Sequence, residues 1–112
     1  MNEAVGDAFA VNVTLLGGPA VVLEPIGDLD VASAPRLAQA VEAAAGASAA
    51  EVTIDLRGVD FMDSSGIRAL VAAYRRSRRT GFVLSFLPGP PAVQRVIEAT
   101  GLSGILGAPA RT

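Results

Sequence analysis

Residue types that carry most enzyme chemistry are missing from this sequence. It contains no histidine, and its nine basic residues are all arginine. Without histidine there is no Ser-His-Asp or Cys-His catalysis and almost no zinc site, and without lysine there is no Schiff base or P-loop phosphate binding. No two acidic residues are spaced in a way that singles them out as an acid and a base. We therefore expect no catalytic residue, no metal site, no cofactor and no enzymatic activity.

Cysteine and long hydrophobic runs are also absent. The lack of cysteine excludes disulfides and thiolate sites and gives no sign of an oxidising compartment. No segment approaches the roughly 18 apolar residues of a membrane span, and the N-terminal segment lacks the basic region of a signal peptide. The formal net charge of −2 argues against nucleic acid as the main partner. We expect a cytoplasmic protein without direct nucleic-acid binding or membrane insertion.

The residues that are present suit one folded domain. The chain has 112 residues, of which 51% are hydrophobic and 18% charged, so it is long enough for one core and too apolar to stay disordered. We expect a single domain over residues 1–112, with an ordered core at about residues 9–106.

The segment 51–79 shows the clearest change of pattern. Hydrophobic and polar residues first alternate, as in a buried strand, and an apolar run follows at residues 59–62. Hydrophobic residues then recur at helical spacing, at Ile67, Leu70, Val71 and Tyr74. The opposite face of this predicted helix carries Arg68, Ala72, Arg75 and Arg79. The period changes at residues 63–66, so these four residues lie at the start of the helix.

The turn at this helix start is Asp63-Ser64-Ser65-Gly66. The first N–H groups of a helix lack partners within the helix and its dipole is positive there, so this end tolerates a dianionic phosphate. Gly66 has no side chain, which allows another backbone or an ATP phosphate to come close. Capping is a competing interpretation, because aspartate and serine are preferred N-cap residues. The bare tetrapeptide does not decide between a helix cap and a phosphorylation switch at Ser64.

The segment before this region predicts a β-hairpin. Strands at residues 9–15 and 20–26 flank Gly17-Gly18, and the alternation of the first strand predicts that one of its faces is buried. Pro25 indicates that the second strand lies at an edge or ends a ladder, because proline has no N–H to donate. The acidic stretch Gly27–Asp30 that follows is either a plain strand-to-helix turn or part of a site.

Further helices and strands follow from the same signals. Ser33 is the expected N-cap of a helix that ends near Gly46 as its C′ residue, and residues 82–87 form a short strand. Pro91 is suited to the first turn of a third helix, and the apolar residues within 102–106 suit a short edge strand. The predicted order is β-β-α-β-α-β-α-β.

This order predicts an α/β fold with a mixed sheet of four to five strands and helices packed on it. Strand-helix-strand units pair their strands in parallel through right-handed crossovers, whereas the first hairpin is antiparallel. Loops that follow parallel strands, here Gly27–Asp30 and Asp63–Gly66, gather at the carboxyl edge of the sheet, where α/β proteins place their sites.

The sequence resembles the STAS domain family, in particular the bacterial anti-sigma factor antagonists. The resemblance rests on Gly27-Asp28-Leu29-Asp30 and on Val59-Asp60-Phe61-Met62-Asp63-Ser64-Ser65-Gly66. It continues through residues 91–96 and Thr100-Gly101-Leu102, so it covers nearly the whole chain and implies a single STAS domain. The octapeptide is far more specific than the bare turn.

The resemblance implies a partner-switching cycle. In such proteins the first serine of the pair, here Ser64, is phosphorylated by an anti-sigma factor that is a serine kinase. The unphosphorylated protein would bind this kinase and free a sigma factor, and phosphorylation would release the kinase until a serine phosphatase removes the phosphate. The expected kinase-contact and flanking residues are Asp28, Asp30, Asp63, Ser65, Gly66 and Arg68. Arg68 and the arginine cluster at residues 75–79 are expected to set which kinase is recognised.

A second function remains open on the same fold. A STAS domain without a phosphate cycle would serve as a scaffold subunit of a lipid-transport ATPase or of a stress-signalling complex. Phosphorylation of Ser64 by a cognate kinase distinguishes the two hypotheses.

Overall fold

The computed structural model describes residues 9–101 and residue 104, and this part of the chain contains five strands and three helices. The strands are β1 (Ala10–Leu15), β2 (Ala20–Leu29), β3 (Glu51–Asp55), β4 (Val59–Met62) and β5 (Val83–Leu87). The helices are α1 (Ala34–Gly46), α2 (Ser64–Thr80) and α3 (Pro91–Ala99). The predicted α/β class and the mixed sheet are confirmed.

The long strand β2 organises the sheet. It pairs with β1 antiparallel, and it pairs in parallel with β3 over residues 20–23 and with β4 over residues 27–29. Strand β5 continues the sheet beyond β3, again in parallel. Strand β2 therefore does not lie at an edge, but the alternative prediction, that a ladder ends near Pro25, is confirmed, because the pairing with β3 stops at Leu23. Pro25 lies in the interval between the two parallel ladders of β2, where a missing N–H is tolerated.

The apolar region at residues 51–62 forms two strands instead of one. Strand β3 ends at Asp55, and β4 begins only at Val59, after a turn that includes Arg57 and Gly58. The observed order of the described part is β-β-α-β-β-α-β-α, and β4 accounts for the fifth strand. The strand predicted within residues 102–106 lies outside the described residues apart from Gly104, which is helical.

The hairpin between β1 and β2 forms as predicted, with both turn glycines in the left-handed region at φ values of 90° and 58°. The predicted burial of β1 is wrong beyond its first residues. Phe9 is buried, but Val13 and Leu15 are 57% and 74% exposed. Alternation along β1 therefore does not produce burial at this end of the strand.

Helices α1 and α2 pack against each other and against the sheet, and their predicted stripes form much of the core. Leu37 of α1, Leu70 of α2, and Leu23 and Ile54 of the sheet are almost completely buried. Each such side chain stabilises the fold by roughly 1.5–3 kcal/mol through its removal from water. This packing fixes the start of α2 relative to the end of β2.

The helix ends differ in part from the prediction. Ser33 occupies the N-cap position of α1, but its side chain makes no capping hydrogen bond, and Gly46 is the last helical residue rather than the C′ residue. Helix α2 ends at Gly81 in the left-handed region, as predicted, with φ at 87°. Gly101 is also left-handed, with φ at 74°, and it follows Thr100, the C-cap of α3.

Candidate functional site

The N-terminus of α2 is capped by Asp63. This residue has an extended backbone, and its Oδ1 accepts hydrogen bonds from the N–H groups of Ser65 at 2.8 Å and Gly66 at 3.3 Å. A carboxylate at this position satisfies two otherwise unpaired donors and interacts favourably with the helix dipole. The capping interpretation of the turn is therefore correct for Asp63, and it leaves both serine hydroxyls available for other contacts.

The two serines of the turn differ in their surroundings. Ser64 is the first helical residue, it is exposed, and its hydroxyl has no hydrogen-bond partner among residues 9–101 and 104. Ser65 is half-buried, and its Oγ accepts a hydrogen bond from Arg68 Nη2 at 3.3 Å. An incoming group therefore reaches the Ser64 oxygen more easily than the Ser65 oxygen.

The acidic loop after β2 is held by a compact hydrogen-bond network around Ser33. The buried Ser33 Oγ donates to the Asp28 carbonyl oxygen at 2.6 Å and accepts from the Asp30 N–H at 2.9 Å. Asp30 Oδ1 accepts from the N–H groups of Ala32 at 3.0 Å and Ser33 at 3.1 Å. The hydrogen bond from the Ser33 N–H is the main cause that lowers the pKa of Asp30. Asp30 thus stabilises the loop.

Asp28 is the free carboxylate of this loop. It is exposed, and its side chain makes no hydrogen bond or ion pair with any of the described residues. The sequence suggested one role for Asp28 and Asp30, but the hydrogen bonds of their side chains differ. Asp30 is occupied by its own loop, whereas Asp28 is open to a partner.

Parallel pairing of β2 with β4 brings the acidic loop and the serine turn together. Asp28 pairs with Phe61 and Leu29 with Met62, and the Asp63 N–H donates to the Leu29 carbonyl oxygen at 3.3 Å. Both loops leave the sheet at the same edge, as the topology predicts. Asp28 and the Asp63–Ser64 pair are therefore neighbours on one surface.

Gly66 permits this close approach. The residue is buried, and a Cβ added to it would lie 2.7 Å from Met62 Cγ and 2.8 Å from the Leu29 carbonyl oxygen. Real Cβ atoms do not approach other atoms this closely, so only glycine fits here without a shift of the backbone. The backbone that comes close to Gly66 is that of β2 in the same chain.

Two exposed apolar side chains lie at this edge, and the sequence patterns did not predict either of them as part of the site. Val31 in the acidic loop is 74% exposed, and Phe61 on β4 is 51% exposed. The register between β2 and β4 shifts after Gly27, with Asp60 as the extra residue of a bulge. The bulge turns Phe61 outward, away from the buried face that an apolar run predicts. The exposure of Phe61 can be predicted only when the pairing of β4 with β2, and hence the bulge, is known.

Within the described part of the chain, no three acidic side chains lie close enough to hold a metal ion. Over the same residues, none of the helices has the length and apolar character needed to cross a membrane.

The comparison with known protein families identifies this arrangement. A mixed α/β sheet that presents a serine at the start of its second helix fits the family described as STAS domain, whose profile matches residues 11–111. The chain therefore belongs to the STAS domain family, among its anti-sigma factor antagonists.

Three relatives illustrate this membership. A Mycobacterium tuberculosis protein provisionally named anti-anti-sigma factor Rv2638 is 35% identical over 80% of this chain and 62% of its own length. The anti-sigma-B factor antagonist of Listeria monocytogenes is 31% identical over 71% of this chain and 70% of its own length. The crystal structure of an anti-sigma factor antagonist from Mycobacterium paratuberculosis is 31% identical, has a TM-score of 0.77, and covers 95% of this chain and 89% of its own. The chain thus spans somewhat less than two-thirds of Rv2638.

Proposed function

We propose that this protein binds an anti-sigma factor that is a serine kinase, thereby frees a sigma factor, and is switched off by phosphorylation of Ser64. The observation that carries the proposal is the free, exposed hydroxyl of Ser64 at the start of α2, beside the unpaired carboxylate of Asp28. Membership among the anti-sigma factor antagonists supports the choice of partner. A serine phosphatase would restore the binding form.

The switch works through the charge and the bulk of the phosphate. Phosphorylation adds about −1.5 to −2 charges to a surface that already carries the carboxylates of Asp63 and Asp28. The helix N-terminus tolerates the phosphate, so the domain remains folded. The phosphate instead adds bulk and extra charge at a point where the partner surface fits only a small uncharged hydroxyl beside the two carboxylates, so the docked surfaces no longer match. Binding therefore changes without a new fold.

The exposed side chains of Val31 and Phe61 supply the apolar part of the contact. Partly exposed aromatic residues near the centre of an interface often contribute most to its affinity. In this proposal Phe61 and Val31 anchor the kinase, Asp28 orients it, and Ser64 is the group that it modifies. Asp30 and Asp63 act indirectly, because they hold the acidic loop and the start of α2 in place.

The competing function is a scaffold subunit without a phosphate cycle, in a lipid-transport ATPase or a stress-signalling complex. The similarity to proteins named anti-sigma factor antagonists favours the switch, and the exposed Ser64 hydroxyl is accessible to a kinase, as the switch requires. Phosphate transfer to Ser64 separates the two functions, since the scaffold would remain unmodified.

The test begins with the native host. The protein is used to isolate its anti-sigma factor, and the purified pair is incubated with MgATP while mass spectrometry follows phosphate on intact and digested protein. We expect one phosphate, located on Ser64 and absent from Ser64→Ala. Calorimetry should show that Ser64→Ala binds the kinase like the wild type but is not released by ATP, whereas Ser64→Glu binds weakly. Release of Ser64→Ala on addition of ATP would refute the assignment of the switch.

A further inference from the structure

A stripe of arginines runs along the outward face of α2, in line with Ser64. Ser64, Arg68, Arg75 and Arg79 are spaced by four, seven and four residues, which places them within a narrow band of the helix surface at 3.6 residues per turn. From Ser64 to Arg79 the band is about 22 Å long at 1.5 Å per residue. A partner that reaches Ser64 along this face therefore also meets the arginines.

The arginines of the stripe are poorly compensated within the domain. Arg75 and Arg79 make no ion pair or hydrogen bond with any described residue, and Arg68 reaches only the neutral Ser65 Oγ at 3.3 Å. Arg76, on the side toward α1, is different because it forms an ion pair with Glu42 at 3.1 Å. Like charges spaced by four residues, such as Arg75 and Arg79, destabilise a helix by a few tenths of a kcal/mol. The stripe therefore does not serve the stability of α2.

The helix dipole explains only part of the stripe. A cation in the last turn is stabilised by the negative end of the dipole, which accounts for Arg79. Arg68 and Arg75 lie outside this last turn, where the dipole gives no such benefit. Beside these arginines, Val71 and Ala72 line an open depression together with Glu42 and Arg76.

We propose that this arginine stripe, defined as Arg68, Arg75 and Arg79, docks an acidic face of the same kinase that phosphorylates Ser64. The inference rests on the proposed function and adds a second contact zone to it. The partner must combine a site that accepts the acidic surface around Asp28 with carboxylates placed along α2. A nucleic acid fits this face less well, because its phosphates would meet the carboxylates of Asp28 and Asp63 at one end of the stripe.

The role of the stripe predicts a specific kinetic signature. Its distal arginines, Arg75 and Arg79, begin about 16 Å along the helix from Ser64, so they contribute to encounter and binding but not to phosphate transfer. Arg75→Glu/Arg79→Glu should raise the KM for phosphorylation of Ser64 about tenfold at low salt and leave kcat within twofold. The same change should flatten the dependence of KM on ionic strength. Arg95→Glu is the matched control, since Arg95 is an exposed arginine on α3, and its KM should stay within twofold of the wild type.

The experiment uses the full chain, the purified kinase isolated by the Ser64 assay, and MgATP at several salt concentrations. Thermal unfolding of each variant shows whether it is folded, and Arg75→Ala/Arg79→Ala repeats the test without new carboxylates. Equal KM values for the wild type and both double variants would refute the stripe while leaving the phosphorylation of Ser64 intact. Failure of any kinase to modify Ser64 would refute the proposed function and this inference with it. DNA binding is measured as well. If the wild type binds single- or double-stranded DNA tightly, both double variants abolish this binding, and their KM for phosphorylation is unchanged, the stripe binds nucleic acid instead of the kinase.

Discussion

Replacement of Gly66 by alanine tests the packing that holds the start of α2 against β2. The added Cβ would lie 2.8 Å from the Leu29 carbonyl oxygen, which is backbone and cannot rotate away, and 2.7 Å from Met62 Cγ. Overpacking of this kind costs about 1–3 kcal/mol. Alanine is a better helix former than glycine by about 1 kcal/mol, which offsets part of this cost. We expect a net loss of about 1 kcal/mol, in a range of roughly 0–2 kcal/mol, in the free energy of unfolding.

Gly46→Ala is the matched control for this substitution. Gly46 is the last residue of α1, its φ is not positive, and an added Cβ meets no atom within 4 Å. The same chemical change should therefore stabilise the domain by about 0.5 kcal/mol, because alanine restricts the unfolded chain. Urea unfolding of the wild type and both variants measures the two effects. A gain in stability for Gly66→Ala similar to that of Gly46→Ala would show that the contact with Leu29 does not constrain this helix.

Three further predictions concern individual side chains near or below this edge. Asp63→Ala should lose about 1 kcal/mol of stability in urea unfolding because the cap is removed, whereas Asp63→Asn should lose little, since asparagine also caps. Asp55→Asn should cost about 1 kcal/mol at neutral pH. The Arg57 side chain donates to the Asp55 carboxylate and lowers its pKa, so its contribution is present above the unfolded pKa of about 3.9 and disappears as pH falls through the folded pKa. Wild type and Asp55→Asn should converge in acid, and a constant gap from pH 7 to pH 2 would contradict this. Phe61→Ala should leave the melting temperature nearly unchanged but weaken kinase binding at least tenfold by calorimetry, and an unchanged affinity would exclude Phe61 from the contact.

The fold was largely predictable because its signals are local and agree with one another. The helical spacing from Ile67 to Tyr74, the glycine pair of the hairpin, and Gly81 after α2 each specify one element without reference to the rest of the chain. The same signals place the serine turn at a helix start and the acidic loop at the same sheet edge. The position of the candidate site therefore follows from topology alone.

The details that were missed depend on pairing between distant segments. The sharing of β2 between two parallel partners explains the break between β3 and β4, and it explains why Pro25 ends a ladder in a strand that is not at an edge. No local pattern shows this sharing. The bulge at Asp60 reverses the direction of Phe61 for the same reason. Ser33 has the sequence of a cap, yet its hydroxyl bonds to the Asp28 carbonyl oxygen, because the acidic loop folds back over it. The same fold of the acidic loop gives Asp30 its hydrogen bonds and leaves the Asp28 side chain without one.

The affinity of the kinase for the protein before and after phosphorylation of Ser64 tests the central claim most directly. The two forms are prepared from one sample, separated by charge, and titrated with the same purified anti-sigma factor in a calorimeter at constant ionic strength. The account predicts that the phosphorylated form binds at least about a hundredfold more weakly, since a bulky group with about two negative charges enters a contact that fits the small Ser64 hydroxyl. Equal affinities of the two forms would contradict it.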